Sequence, residues 1–151
     1  MLKSLDPLLT AELLYALRGM GHGDEIVVCD ANFPAESVAR HTHFGRAIRL
    51  EGVGSARAAK AILSVMPLDS FIEDRANRME VVGAPDEVTE VQAEVQAVID
   101  ASGDPAAGPL TSIERFAFYE RAKKAYAIVA TGERRFYGCF VFAKGVIEPD
   151  A

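Results

Sequence analysis

His22 sits in Gly21-His22-Gly23-Asp24, with almost no side-chain bulk on either side of the imidazole. An imidazole takes up and releases protons near neutral pH, and flanking glycines let a ligand approach the backbone closely. That suits a general acid/base, and it equally suits a loop histidine that finishes a preceding helix. Asp30 follows the apolar run Ile26-Val27-Val28-Cys29. In an open α/β sheet, ligands bind beyond the carboxyl ends of the strands, so a carboxylate there can accept hydroxyls or orient an imidazole. Asp30-Ala31-Asn32-Phe33-Pro34 is also good turn chemistry. Tyr137-Gly138 sets a phenol beside a glycine, after the polar stretch Gly132-Glu133-Arg134-Arg135. Such a phenol can reach a ligand and share in proton relay, or pack half-buried with its hydroxyl satisfied. Arg115 opens the segment Phe116-Ala117-Phe118-Tyr119-Glu120, where its guanidinium can donate to ligand oxygens or pair with Glu114.

His41 and His43 are spaced i and i+2, which on a strand turns both side chains to one face, as metal binding requires. No third ligand stands at a diagnostic spacing, and the sequence predicts no metal site. A phosphate loop, a dinucleotide glycine fingerprint and a Gly-x-Ser-x-Gly elbow are all missing from the sequence, which counts against a nucleotide-dependent enzyme or a serine hydrolase.

These residues need a scaffold. Leu13, Leu14, Leu17 and Met20 share one face of a helix predicted over 11–20, with Thr10 as its cap and Gly21 as its stop. Glu25 to Asp30 reads as a buried strand and 46–50 as a second. The alanine-rich stretch 56–65 predicts a helix, 79–82 a strand, and 86–99 a helix with a valine stripe. Residues 102–109 are turn-rich. Residues 113–125 predict a helix, 126–131 a strand, 132–137 a polar turn and 139–143 a final strand. The last two strands are close enough in sequence to form a hairpin. Alternation of helices and strands implies an α/β fold with helices flanking a central sheet.

The chain has 151 residues, half of them hydrophobic and a quarter charged, which is enough for one core, so residues 1–151 are expected to form one domain. A formal net charge of −6 argues against nucleic acid as a partner. Arg115, Arg121, Lys123, Lys124, Arg134 and Arg135 read as a solvated face. No apolar run is long enough to span a membrane, and the first residues lack the long apolar stretch and cleavage site of a secretion signal. Cys29 and Cys139 lie in apolar, strand-like runs, as small core hydrophobes do. A cytoplasmic location is the expectation.

Read together, these segments resemble the ribose pyranase / fucose mutarotase family. The resemblance runs over nearly the whole chain: Met1-Leu-Lys-Ser-Leu-Asp-Pro-Leu-Leu9, Met20-Gly-His-Gly-Asp-Glu25, Cys29-Asp-Ala-Asn-Phe-Pro34, Leu68-Asp-Ser70, Ala127-Ile-Val-Ala-Thr-Gly-Glu-Arg134, Tyr137-Gly138 and Lys144-Gly-Val146. Arg115-Phe-Ala-Phe-Tyr-Glu-Arg-Ala122 looks like the fucose branch, whereas 41–51 matches poorly. The resemblance implies a three-layer α/β/α fold with a mostly parallel or mixed sheet. It implies a homo-oligomer, often a decameric ring, with active sites near subunit contacts. It also implies interconversion of the anomers of a free sugar, L-fucose or a relative, sometimes with pyranose–furanose exchange, and without a cofactor. Carried over, His22 is the acid/base, assisted by Tyr137, and Asp30, Arg115, Tyr137, Gly138 and Cys139 contact the sugar. Cys139 departs from the pattern, because fucose-type members usually carry asparagine there, and a thiol donates and accepts only weakly. The sequence is also compatible with two rival readings: a non-catalytic monosaccharide-binding accessory of a transport system, and a metal-dependent isomerase using His22, Asp30, His41 and His43.

Overall fold

The structure, a computed structural model, describes residues 2–149. Helix α1 (Ala11–Gly19) begins where the Thr10 hydroxyl accepts the Leu13 N–H at 3.2 Å, and it buries Leu13, Ala16 and Leu17. It ends where the Lys144 ammonium donates to the carbonyls of Leu17 and Met20, satisfying groups a helix end leaves open. In chain order there follow β1 (Glu25–Cys29), α2 (Ala35–Ala39), β2 (Ala47–Leu50), α3 (Ser55–Leu63), β3 (Ala76–Met79), α4 (Glu90–Asp100), β4 (Thr111–Ile113), α5 (Arg115–Lys124), β5 (Ala127–Thr131) and β6 (Phe140–Ala143).

The six strands form one sheet in the order β2-β5-β1-β6-β3-β4. Strand β6 runs antiparallel to both of its neighbours, β1 and β3, and the other pairings are parallel. Strands β5 and β6 are buried at every position, as continuous apolar runs in a two-sided sheet should be. Helices α1, α3 and α4 cover the face that carries Ile26, Val28, Val129, Phe140 and Phe142. Helices α2 and α5 cover the face of Val27, Cys29, Ile128, Cys139 and Val141. This is the expected three-layer α/β/α arrangement around a mixed sheet.

Several expectations need correction. Strands β5 and β6 form no hairpin: β1 lies between them, pairing Val28 with Val129 on one side and with Phe140 on the other. Both strands are apolar on two faces and take interior places, and the connection 132–139 passes over the end of β1. The strand expected at 79–82 lies three residues earlier. Arg78 made that segment read as polar, but its guanidinium is buried against the carbonyls of Pro85 and Glu87 and the Gln92 side chain. Those same contacts hold 85–87 in an irregular turn, so α4 starts at Glu90 rather than 86. Helix α2 and edge strand β4 are each too short to give a periodic signal.

Candidate functional site

A cavity of about 380 Å³ opens at the carboxyl ends of β1 and β3, within the size range of small-molecule sites. Asp30, Asn32 and Phe33 reach it from the turn after β1, and Met79 from the end of β3. Arg115 and Tyr119 come from the first turns of α5, and Phe136, Tyr137 and Cys139 from the segment entering β6. The sheet topology explains the convergence: β6 sits between β1 and β3, so the residues before it lie between those two strand ends.

Asp30 is buried, 6 % exposed, and organises the cavity floor. Its Oδ1 accepts the N–H groups of Asn32 at 3.0 Å and Phe33 at 3.1 Å. Its Oδ2 accepts the Gly138 N–H at 3.1 Å and the Cys139 thiol at 3.4 Å. Burial, and then the Asp30 carboxylate, push the Cys139 thiol well above its ordinary range, so it is a neutral donor. Gly138 permits this contact, since a Cβ there would stand 2.8 Å from Glu133 Cγ and 3.3 Å from Asp30 Cβ. Tyr137 holds φ +61°, a left-handed conformation that costs a non-glycine residue about 1–2 kcal/mol. Its hydroxyl accepts the Val82 N–H at 3.3 Å, which leaves the phenolic proton free for the cavity.

Glu114 caps α5 by accepting the N–H groups of Phe116 and Ala117, so it is engaged with the backbone, and Arg115 turns to Tyr119. The Arg115 Nε donates to the Tyr119 hydroxyl at 3.4 Å, a bond that holds the exposed guanidinium more firmly protonated. Tyr119 was not singled out from the sequence. Its position four residues after Arg115 puts both on one helix face, a signal the spacing carries. A larger cavity of about 590 Å³ borders Asp30 on its other side, but of the expected site residues only Asp30 lines it, and its Arg49 is tied to Glu36 and Glu51.

His22 stands elsewhere. It precedes β1, whereas Asp30 follows it, and five strand residues at ~3.3 Å each separate the two by about 16 Å or more. Its Nε2 lies 3.1 Å from a carboxylate oxygen of Asp69, which is almost fully buried, while the imidazole itself is half exposed. The Phe71 ring packs 5.3 Å from it. The structure therefore brings Asp30, Arg115, Tyr137, Gly138 and Cys139 together and leaves His22 outside that group, paired with Asp69. Asp69 lies in the Leu68-Asp-Ser70 block, to which the sequence reading gave no role. His41 and His43 lie in a turn rather than on a strand, and the His43 ring packs tilted against Tyr126 with 4.6 Å between centroids. Among the described residues, no group of three or more His, Cys, Asp or Glu side chains is placed to hold a metal ion.

Residues 3–147 match the RbsD / FucU transport protein family. This chain belongs to that family. Among its relatives, the human fucose mutarotase is 46% identical over 97% of this chain and 94% of its own length. The crystal structure of a candidate sugar binding protein, 56% identical, covers 98% of this chain and 97% of that one with a TM-score of 0.94. The fucose mutarotase of Streptococcus pneumoniae, solved in complex with L-fucose, is 38% identical, covers 97% of this chain and 100% of that one, and gives a TM-score of 0.83. Membership in the RbsD / FucU family accounts for the mixed six-stranded sheet. No helix among the described residues is long and apolar enough to cross a membrane.

Proposed function

We propose that this chain is a cofactor-independent isomerase, a mutarotase that interconverts the anomers of a free monosaccharide, with L-fucose as the first candidate. The observation that carries the reading is the convergence of Asp30, Arg115, Tyr119 and Tyr137 on one monosaccharide-sized cavity, in a chain whose relatives are fucose mutarotases. Ring opening requires the anomeric hydroxyl to lose a proton while the ring oxygen gains one. The C–O bond then breaks to give the open aldehyde, the carbonyl face turns, and reclosure reverses the proton transfers. Closure through a different hydroxyl exchanges pyranose for furanose. Proton transfers are sufficient, and general acid/base groups accelerate such steps by about 100- to 10,000-fold each.

In this reading Arg115 and Tyr119 bind sugar oxygens, and Asp30 with Gly138 and Cys139 shapes the floor. Tyr137 relays one proton. His22 exchanges the other, with Asp69 orienting its ring. Because His22 cannot reach the cavity of its own chain, it serves the cavity of a neighbouring copy, in a homo-oligomer that a decameric ring would satisfy. Exposed aromatic side chains flank both halves: Phe71 beside His22, Phe136 at the cavity, and Phe116 against the cavity residue Tyr119. A cytoplasmic location accords with Cys29 and Cys139, which are free thiols although they lie at adjacent ends of β1 and β6.

Saturation-transfer NMR on L-fucose, D-ribose and a panel of other free sugars tests the proposal. The wild-type chain should accelerate anomer exchange of at least L-fucose, and folded His22→Ala should lose about 100-fold or more of that rate. Full exchange by His22→Ala overturns its role. Binding without accelerated exchange of any sugar overturns the enzyme reading in favour of an accessory sugar-binding protein.

A further inference from the structure

Tyr137 and Gly138 are held by two side chains that do not line the cavity. Gln92, in the first turn of α4, donates through Nε2 to the Tyr137 carbonyl at 3.1 Å and to the Met79 carbonyl at 2.7 Å. Its Oε1 accepts from the Thr89 N–H and from Arg78, both at 3.2 Å. All four bonds fit one orientation of the amide. Ser55, the first residue of α3, donates through Oγ to the Gly138 carbonyl at 2.7 Å. Both side chains are completely buried. They come from α3 and α4, two of the three helices on the opposite face of the sheet from α5, and they grip successive carbonyls of the one dipeptide that contains a left-handed tyrosine. Asp30 completes the grip at the Gly138 N–H. A strained backbone persists only where its surroundings over-determine it.

We propose that Gln92 and Ser55 are positioning residues for the sugar reaction: they lock the Tyr137–Gly138 backbone in its left-handed turn and so set where the Tyr137 phenol stands in the cavity. This rests on the mutarotase reading, and specifically on the role given there to Tyr137. Neither residue touches sugar. Their work is done before the sugar arrives, by removing the alternative in which Tyr137 relaxes to negative φ and turns its hydroxyl away. Reduced pre-organisation of a group that acts on the reacting centre should appear in kcat more than in KM.

Ser55→Ala is the gentler probe, removing one hydroxyl at a helix start, and Gln92→Met is the second. If Gln92→Met fails to fold, Ser55→Ala decides alone. Two readouts are taken on folded protein. Amide hydrogen exchange at Gly138 should accelerate at least tenfold in either variant, and unchanged protection there overturns the lock whatever the sugar. L-fucose anomer exchange should fall about tenfold in kcat with KM within about twofold, and the same substitution made in a Tyr137→Phe background should cost less than about twofold more. Equal losses in both backgrounds overturn the link to Tyr137. If Tyr137→Phe itself keeps the full rate, the role assigned to Tyr137 fails, and hydrogen exchange at Gly138 still reports separately on the lock.

Discussion

Glu133 is buried, 5 % exposed, wedged where a Cβ on Gly54 would stand 2.7 Å from its carboxylate oxygen and a Cβ on Gly138 2.8 Å from its Cγ. Its Oε1 accepts from the Arg135 backbone N–H at 3.0 Å and from Arg135 Nε at 2.9 Å, and Arg135 in turn pairs with Glu94. The Arg135 hydrogen bonds outweigh burial and hold the Glu133 carboxyl down at about 2. A carboxyl depressed by folding contributes stability that is fully present above its unfolded value, near 4.5, and that disappears as pH falls toward 2. Arg135 is partly exposed, so the contribution is put at about 1–2 kcal/mol after allowing for solvent screening. Glu133→Gln should therefore be less stable than wild type by that amount at pH 7, and the gap should close between about pH 4.5 and 2 in urea unfolding curves. A gap that persists at pH 2 would assign the loss to packing against Gly54 and Gly138 instead. Because the Glu133 carbonyl also accepts the Ala31 N–H, directly after Asp30, the pairing supports the cavity as well as the fold.

The elements were legible where pattern and burial agree. Helix α1 follows from its leucine face and Thr10 cap, and β1 from an unbroken apolar run. The bounds of strand β3 escape the sequence pattern because the buried Arg78 finds its carbonyl partners only after the chain has folded around it. Closeness in sequence favours a β5–β6 hairpin, but two-sided burial gives both strands interior places on either side of β1. The same effect divided the site. His22 and Asp30 are near in sequence, yet the extended strand between them carries them to opposite ends of the sheet. Tyr119, by contrast, was readable from helical spacing. The crossing over β1 depends on a close backbone approach at Gly132, whose N–H donates to the Val53 carbonyl at 2.8 Å and where a Cβ would stand 2.1 Å from the Glu51 carbonyl oxygen. Backbone cannot yield as a flexible side chain does, so Gly132→Ala should destabilise by about 2 kcal/mol or more. Gly52, in the turn that Gly132 approaches, is the matched control. Nothing lies within 4 Å of its Cβ position, and Gly52→Ala should be neutral or stabilising by up to about 1 kcal/mol. Thermal melts of the two variants check the contrast, and equal effects would refute the backbone explanation.

At the scale of the whole molecule, the proposed reading divides the site into two halves on one chain: a cavity with Asp30, Arg115, Tyr119 and Tyr137 beyond the carboxyl end of β1, and the His22–Asp69 pair before its start. A closed assembly in which the same two surfaces meet between every pair of neighbours makes each half complete the other. This geometry has a quantitative consequence that an active site within one chain does not share. His22→Ala keeps an intact cavity, and Tyr137→Phe keeps an intact His22. Each variant alone should be nearly inactive. When the two are unfolded, mixed in equal amounts and refolded, random assembly gives a junction two independent choices. Its histidine comes from a Tyr137→Phe copy half the time, and its tyrosine from a His22→Ala copy half the time. About one quarter of the junctions should then be fully wild type, and exchange of L-fucose anomers should recover to about one quarter of the wild-type rate. If both residues served one chain, no mixture would hold a complete site and the rate would stay at the level of the separate variants. Native mass spectrometry of the mixture establishes that mixed assemblies have formed. Mixed assemblies without recovered exchange would overturn the site shared between neighbours and leave both residues acting within one chain.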